Sequence, residues 1–384
     1  MRKSSTLVSA AFLMATSAIG PGFLTQTTVL TQKLGYSFAF GIFLSIIIDV
    51  IAQTSIWRIL GFSKLRATQF GNQVFPYFGS CIAVIVALGG FVFNIGNVSG
   101  AGLGTEAAFG FSTKIGALIS SLFVLLIFNS KKSLQLLDYV VKVLGIIMLI
   151  LIISMVFLVK IDFGLLIKNT FIPEKIDVKA ILTIIGGTIG GYISFAGIHR
   201  LIEAGTSGSE NLKEISKSAS LGIILTGICR IFLFIGTLGV LVAGNTLTEE
   251  NPSSSVFLFL FGDYGKIMFG LMIWFAAVTS LIGATYTSVS FLIDISPVFE
   301  TYKKAITVFF ISMPTFFFMA YGKPIKILVY AGYFNAFVLP FALIMVLLGL
   351  RKSFMKTYKH PKILLFGSIS IIIVMLYYSI VSLF

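Results

Sequence analysis

The sequence predicts an all-α integral membrane protein of about eleven transmembrane helices, two of them interrupted inside the bilayer. Three observations lead there: the apolar mass, its grouping into long runs, and the places where glycine and proline break those runs. Hydrophobic residues make up 57% of the 384-residue chain, charged residues 11%, and the mean hydropathy is +1.03. A soluble domain carries about a quarter charged residues, so too few are present to cover a water-facing surface. A helix needs about 20 mainly apolar residues to cross the hydrocarbon core. The runs that meet this are 8–34, 36–60, 74–98, 114–129, 136–160, 181–203, 215–243, 264–293, 303–321, 324–350 and 363–383.

Met1-Arg2-Lys3 resembles the basic start of a secretory leader, but no small-residue cleavage site follows, so the first run reads as a retained helix. The net charge of +14 is topological. Assigning loops to alternate sides puts roughly 18 Lys and Arg on the N-terminal side and roughly 9 on the other. Arg58/Lys64/Arg66, Lys131/Lys132, Lys303/Lys304 and Arg351/Lys352/Lys356/Lys359/Lys362 carry the bias. This places the N-terminus in the cytoplasm of a cell membrane, the C-terminus outside, and leaves no case for nucleic acid. Cys81 and Cys229 lie in apolar runs and read as small core residues. No stretch looks like a soluble domain, so 1–384 is expected to be one transmembrane domain with the bilayer as its partner, monomeric and without a cofactor.

Two runs depart from simple helices. The first contains Gly20-Pro21-Gly22, where proline removes a backbone donor and the glycines let the chain leave helical geometry. The sixth contains Gly186-Gly187 and Gly190-Gly191, each glycine weakening a helix by about 1 kcal/mol relative to alanine. Lipid tolerates a broken helix only where the freed backbone groups line a cavity or are buried in protein. Two breaks at corresponding places in two five-helix halves, 1–160 and 181–350, point to an inverted repeat with a midplane site for a small solute, 363–383 being an added helix. For the sixth run the competing reading is close helix packing over small residues.

The chain resembles the natural resistance-associated macrophage protein family. Gly20-Pro21-Gly22, Leu34-Gly35-Tyr36 and Gln53 follow the spacing of that family's Asp-Pro-Gly-Asn helix, its Tyr-Gly-Tyr and the glutamine closing helix two. Arg58-Ile59-Leu60-Gly61 with Ala67-Thr68-Gln69 resembles its connection after helix two, and Leu339-Pro340-Phe341-Ala342 its helix ten. The resemblance implies a proton-coupled divalent-metal transporter with the LeuT-type 5+5 inverted-repeat fold. It also shows what is missing. The family's metal-binding Asp and Asn fall on Gly20 and Phe23, and the helix-ten glutamine near Gly332; Met-Pro-His in helix six has no counterpart, and two acidic positions on the proton route fall on Asn94 and Asn97. A dication needs anionic or soft donors to offset its desolvation, so no metal ligand is assigned.

The backbone N–H groups freed at a glycine-flanked break favour anions. The favoured cargo is therefore a small organic carboxylate, amino-acid-like or cyclised, coupled to H⁺ or Na⁺, with a divalent cation (Mn²⁺, Fe²⁺ or Mg²⁺) as the alternative. Gly20, Pro21, Gly22, Phe23, Thr25, Gln26, Gly190, Gly191, Tyr192 and Ser194 are its candidate site. Intramembrane charges are functional by default, so Asp49, His199, Arg200, Glu203 and Arg230 are candidates for coupling or gating, with structural pairing as the competing reading; the resemblance adds Asn94 and Asn97, at its proton-route positions. Arg230 could hold a carboxylate or pair with Glu203. Tyr286, Thr287 and Ser288 could form a Na⁺ site, and Asp138 with Lys142 a structural i,i+4 pair. Gly100-x-Gly102-x-Gly104 reads as an outer loop holding Glu106. With two histidines and no H-E-x-x-H or G-x-S-x-G, an enzyme is not expected; a channel lacks a repeated filter and a receptor an output domain.

Overall fold

The computed structural model describes residues 7, 10, 11, 14, 15, 17–128, 146, 147 and 149–381; the Asp138–Lys142 pair lies outside them. All regular structure among the described residues is helical. After a first half-helix within residues 7–18 come α1 (Pro21–Leu34), α2 (Phe38–Ser63), the short α3 (Ala67–Val74), α4 (Phe78–Phe109) and α5 (Thr113–Ile127). Next are α6 (Leu149–Leu158) and α7 (Phe163–Phe171), which meet at 116°. The remainder is α8 (Val178–Ile189), α9 (Ile193–Glu203), α10 (Leu212–Val242), α11 (Pro252–Ile293), α12 (Lys303–Tyr321), α13 (Pro324–Ala336), α14 (Val338–Gly349) and α15 (Lys362–Val381).

By length and composition, seven described helices can cross a membrane, or eight with the bent α6–α7 pair, and two shorter apolar helices accompany them. Burial ranks their places. The span formed by α8 and α9 is 94% buried and sits at the centre of the bundle, whereas α12 is 28% buried and lies at its edge. Apolar side chains left uncovered, such as Leu126, Phe157 and Phe316, present a surface suited to hydrocarbon. Ser112, Asp162, Asp177 and Asn251 each cap a helix by accepting a backbone N–H three residues on.

The expected outer loop around Gly100, Gly102 and Gly104 is instead the last third of α4. The glycines are there because backbones and side chains come within contact distance. A Cβ on Gly100 would meet the Pro21 ring, one on Gly102 the Thr113 backbone, and one on Gly104 the backbone of Gly270 and Trp274 at 2.7–2.8 Å. Small residues give helices packing without needing a hydrophobic drive, which lipid does not supply. Residues 252–261 form a short helix that joins the rest of α11 through a kink at Gly262 (φ 67°).

Because the partner of Gly104 is backbone, it cannot swing away. Gly104→Leu is expected to lower stability by about 1–3 kcal/mol through overpacking. The midpoint of thermal unfolding in detergent reads this, and an unchanged midpoint would show that α4 and α11 are free to separate.

Candidate functional site

Gly20 is the hinge of the first break. Its backbone is extended (φ −107°, ψ −172°), its N–H reaches back to Ala18 O at 2.9 Å, and Pro21 starts α1 without a donor. By helix geometry the amides of Gly22 and Phe23 open α1 with no carbonyl one turn behind them. At the second break, α8 ends with Gly190 N–H on Gly186 O, and Gly191 takes the left-handed region (φ 57°) against the Asn335 side chain. The Ser194 hydroxyl turns back to donate to Ile189 O, satisfying a carbonyl that the break would strand, and Trp57 Nε1 donates to Ser194 O at 2.9 Å.

The two breaks face each other across a cavity of about 20 Å³. The first broken helix contributes Ser17, Ala18, Gly20, Gly22, Phe23 and Gln26, the second Gly187 and Tyr192; α4 adds Phe93 and Asn97, and α11 adds Ser280. That volume holds about one water. Its polar groups are uncharged. Gln26 spans it: Nε2 donates to Leu328 O at 2.9 Å, while Oε1, fully buried, has no partner and lies against Gly187. The same amide lies over Gly332, the position where the resemblance would place a glutamine. Asn97 donates to Asn94 Oδ1, and Asn94 donates to Thr285 Oγ1 and Phe310 O, both at 2.9 Å. No group of three or more His, Cys, Asp or Glu that could hold a metal ion occurs among the described residues.

Two sets of charged contacts, candidate latches, tie together the elements that carry the breaks. On the N-terminal side Arg66 donates to Asp294 Oδ1 at 3.0 Å and to Ser290 Oγ, with Glu203 Oε1 at 3.9 Å. Burial pushes the Asp294 carboxyl above its ordinary range, Arg66 pulls it back, and Glu203 adds to the rise. Beside them His199 Nε2 accepts the Ala67 N–H at 3.1 Å, joining α9 to the start of α3, and the ring packs on Phe195 and Phe291. The first half-helix is held down there too, since Ser218 donates to Leu7 O at 2.6 Å. On the far side Lys33, in the last turn of α1, pairs with Asp177 at 2.6 Å, tying together the outer ends of both broken helices. Burial alone would raise the Asp177 carboxyl. The hydrogen bond and charge of Lys33 and the N–H groups of Ala180 and Lys179 outweigh it and hold the carboxyl below its ordinary value.

Several expected residues lie elsewhere. Thr25 is buried but does not line the cavity, and Pro21 packs on Gly100. Arg200 is exposed and away from the site. Tyr286 is 64% exposed while Ser288 is buried against Gly90, so helical periodicity splits the proposed Na⁺ trio over two faces. Arg230 does not pair with Glu203, which sits with Arg66 at the N-terminal side; Arg230 is buried midway, donating to Thr188 Oγ1 at 2.8 Å. Its guanidinium carbon stands 4.3 Å from the centre of the Phe23 ring. Asp49, without a basic neighbour in sequence, feels the charge of Arg230 but makes no hydrogen bond to it. Ser17, Phe93 and Ser280 escaped sequence reading, because none bears a charge or a recognisable spacing; Gly187 reads as part of the sixth-run break and not as a site residue.

Residues 11–384 match the family described as natural resistance-associated macrophage protein-like. The chain is 45% identical to a membrane protein of Bacillus subtilis, YcsG, over 97% of this chain and 92% of that one. It is 43% identical to a membrane protein of Haemophilus influenzae, over 97% and 94%. Among solved structures it is similar to the Eremococcus coleocola manganese transporter, with a TM-score of 0.73 at 16% identity over 98% of this chain and 86% of that one. It is also similar to a nucleobase-cation-symport-1 family transporter in a closed conformation with bromovinylhydantoin bound, with a TM-score of 0.55 at 16% identity over 88% and 77%.

Two measurements test the latches. In a variant lacking Cys81 and Cys229, Arg66→Gln is expected to speed labelling of Ser280→Cys from the N-terminal side by at least about tenfold, as befits loss of charged hydrogen bonds. Equal rates would remove Arg66 from gating. Asp177→Asn keeps a capping side chain but loses the charge. A depressed carboxyl stabilises the fold above its unfolded pKa of about 3.9 and loses that effect as pH falls through the folded value. The variant should therefore unfold at a lower temperature than the parent at pH 7, with the gap closing below about pH 4.

Proposed function

The chain belongs to the natural resistance-associated macrophage protein-like family of membrane transporters, and within it we propose a secondary-active carrier that moves a small organic carboxylate, amino-acid-like or cyclised, by alternating access between its two helix breaks. One observation carries this reading. The cavity between the breaks offers the opening amides of Gly22 and Phe23, the amides of Gln26 and Asn97 and the hydroxyls of Ser17, Ser280 and Tyr192, with no carboxylate, imidazole or sulfur on its wall. Helix-opening amides favour a carboxylate, and Phe23, Phe93 and Tyr192 give its carbon skeleton an apolar seat. The bound hydantoin in the similar nucleobase-cation transporter is an organic ring, which the same architecture accommodates there. The N-terminus faces the cytoplasm, the two latches exchange during the cycle, and the protein works as a monomer coupled to H⁺ or Na⁺.

A divalent metal ion is the second reading, and kinship speaks for it. The family and the similar manganese transporters favour a metal, and they lend the carboxylate no support. At 16% identity, however, the likeness carries architecture, and cargo is decided by the groups at the site. Neutral amides and hydroxyls leave the desolvation of a dication uncompensated.

Thermal shift of the purified chain with Mn²⁺, Mg²⁺ and a panel of amino acids, cyclised amino acids and small carboxylates separates the two. Stabilisation by a carboxylate and none by the metals is expected; stabilisation by the metals alone would transfer the assignment to the metal. A Cβ at Gly20 meets the mobile Ser280 hydroxyl at 3.2 Å, so an aspartate fits there. Gly20→Asp should then gain a Mn²⁺-dependent shift that the parent lacks.

A further inference from the structure

The Gln26 amide at the cavity is held in one orientation, with one end satisfied and the other not. Gln26 is wholly buried on the second turn of α1. Side chains on a helix lean back toward its N-terminus, and this one folds over Gly22, four residues earlier. A Cβ on Gly22 would stand 3.3 Å from Gln26 Nε2. A Cβ on Gly187 of α8 would meet Gln26 Oε1 at 2.3 Å, and one on Gly332 of α13 would meet Nε2 at 2.3 Å. A side chain at either glycine would push the amide out, so the two glycines and the amide fit only as a set.

Hydrogen-bond chemistry decides which end of the amide is which. Leu328 O can only accept, so the amide turns its nitrogen to it, at 2.9 Å. Turning the oxygen there instead would set two acceptors face to face. The oxygen is thus left on the other side, against Gly187, and Gly187, Gly22 and Gln26 all line the cavity. Oε1 has no hydrogen-bond partner, although the hydroxyls of Ser17, Tyr192 and Ser280 belong to the same wall. A buried acceptor without a partner is rare in a folded core. This one borders the space between the two breaks and is locked in place by its own nitrogen.

We propose that Gln26 is the specificity-determining residue of the seat: its Oε1 accepts a hydrogen bond from a neutral N–H of the cargo, which is therefore a carboxylate bearing an amide-type N–H close to its acid group. The inference rests on the carboxylate reading and narrows it. Acid group and N–H have separate anchors on one wall. The opening amides of Gly22 and Phe23 donate to the carboxylate, and the Gln26 oxygen accepts from the N–H. One small molecule spans both, because Gln26 reaches back over the residue whose amide opens the helix. The N–H is neutral, since an ammonium group would bring a positive charge to a wall without a carboxylate. The same oxygen excludes close analogues. An ester oxygen in place of the N–H would set lone pair against lone pair at Oε1, and a site built to hydrogen-bond its substrate rejects the analogue that cannot do so.

Calorimetric titration of the purified full chain at neutral pH tests this with two probes, N-acetylglycine and acetoxyacetate. The second carries an ester oxygen where the first carries N–H; both are monoanions of nearly equal size. The expected result is binding of N-acetylglycine at least about tenfold tighter than acetoxyacetate, as one hydrogen bond to a buried acceptor implies. Gln26→Met, of similar length but without an amide, should bind the two alike. Equal affinities in the parent, or a preference that survives in Gln26→Met, would overturn the role of Gln26 while leaving the carboxylate reading standing. Binding of neither probe, with Mn²⁺ titrated in parallel as the metal alternative, would remove both. Gln26→Met also loses the tie to Leu328 O and can fail to fold, so Gln26→Asn, which keeps an amide and withdraws it by one methylene, is tested beside it with the same loss of preference expected.

Discussion

Every backbone N–H and C=O in the hydrocarbon core must find a partner inside the protein, and this one constraint organises the molecule. It makes the described chain helical, and it makes each interruption an obligation. The two breaks meet that obligation with neighbours drawn from all over the chain. Ser194 closes on Ile189 O, Trp57 reaches Ser194 O, and Gln26 takes Leu328 O. A broken helix so dependent on its surroundings belongs in the middle of them, and the span of α8 and α9 is the most enclosed of the candidate spans. The cavity follows from the same cause.

Glycine serves two purposes along the chain, and the structure separates them. At Gly191 the backbone itself needs the left-handed region. At Gly187 and Gly332 the backbone is helical and the missing side chain makes room for the Gln26 amide, clasped between α8 and α13. The Gln26 amide of α1 thus fills the space opposite Gly332, near which the resemblance places a glutamine. Gly100, Gly104 and Gly270 serve packing alone, bringing α4 against the start of α1 and against α11.

What was legible in the sequence had a period or a sharp punctuation. The apolar runs and Gly20-Pro21-Gly22 gave the helices and the first break directly. The sixth-run glycines left breakage and packing open, and both occur: Gly190-Gly191 makes the break, and Gly187 serves packing. Small residues misled where context decides: Gly100-x-Gly102-x-Gly104 has loop composition, yet a helix that must approach two others closely has the same composition. Partners remote in sequence were out of reach. Nothing near Arg66 names Asp294, because that pair forms only when the connection after α2 has packed on the end of α11.

The fold and the site therefore make separate statements about cargo. The architecture is that of the family, with a cavity between two helix breaks. It leaves open what sits there. The seat is decided by charge. A metal-carrying version of this break must offer negative charge to a dication, and the positions where the resemblance would put it are Gly20 and Phe23. Phe23 is more than a lost ligand, because its ring lies on the guanidinium of Arg230. A buried cation one layer behind the seat raises the cost of any cation held at the seat and lowers that of an anion, in a medium where such interactions are weakly screened. The absence of an acidic group from the cavity wall and the presence of the arginine thus act in the same direction, and the proposed carboxylate reading rests on both.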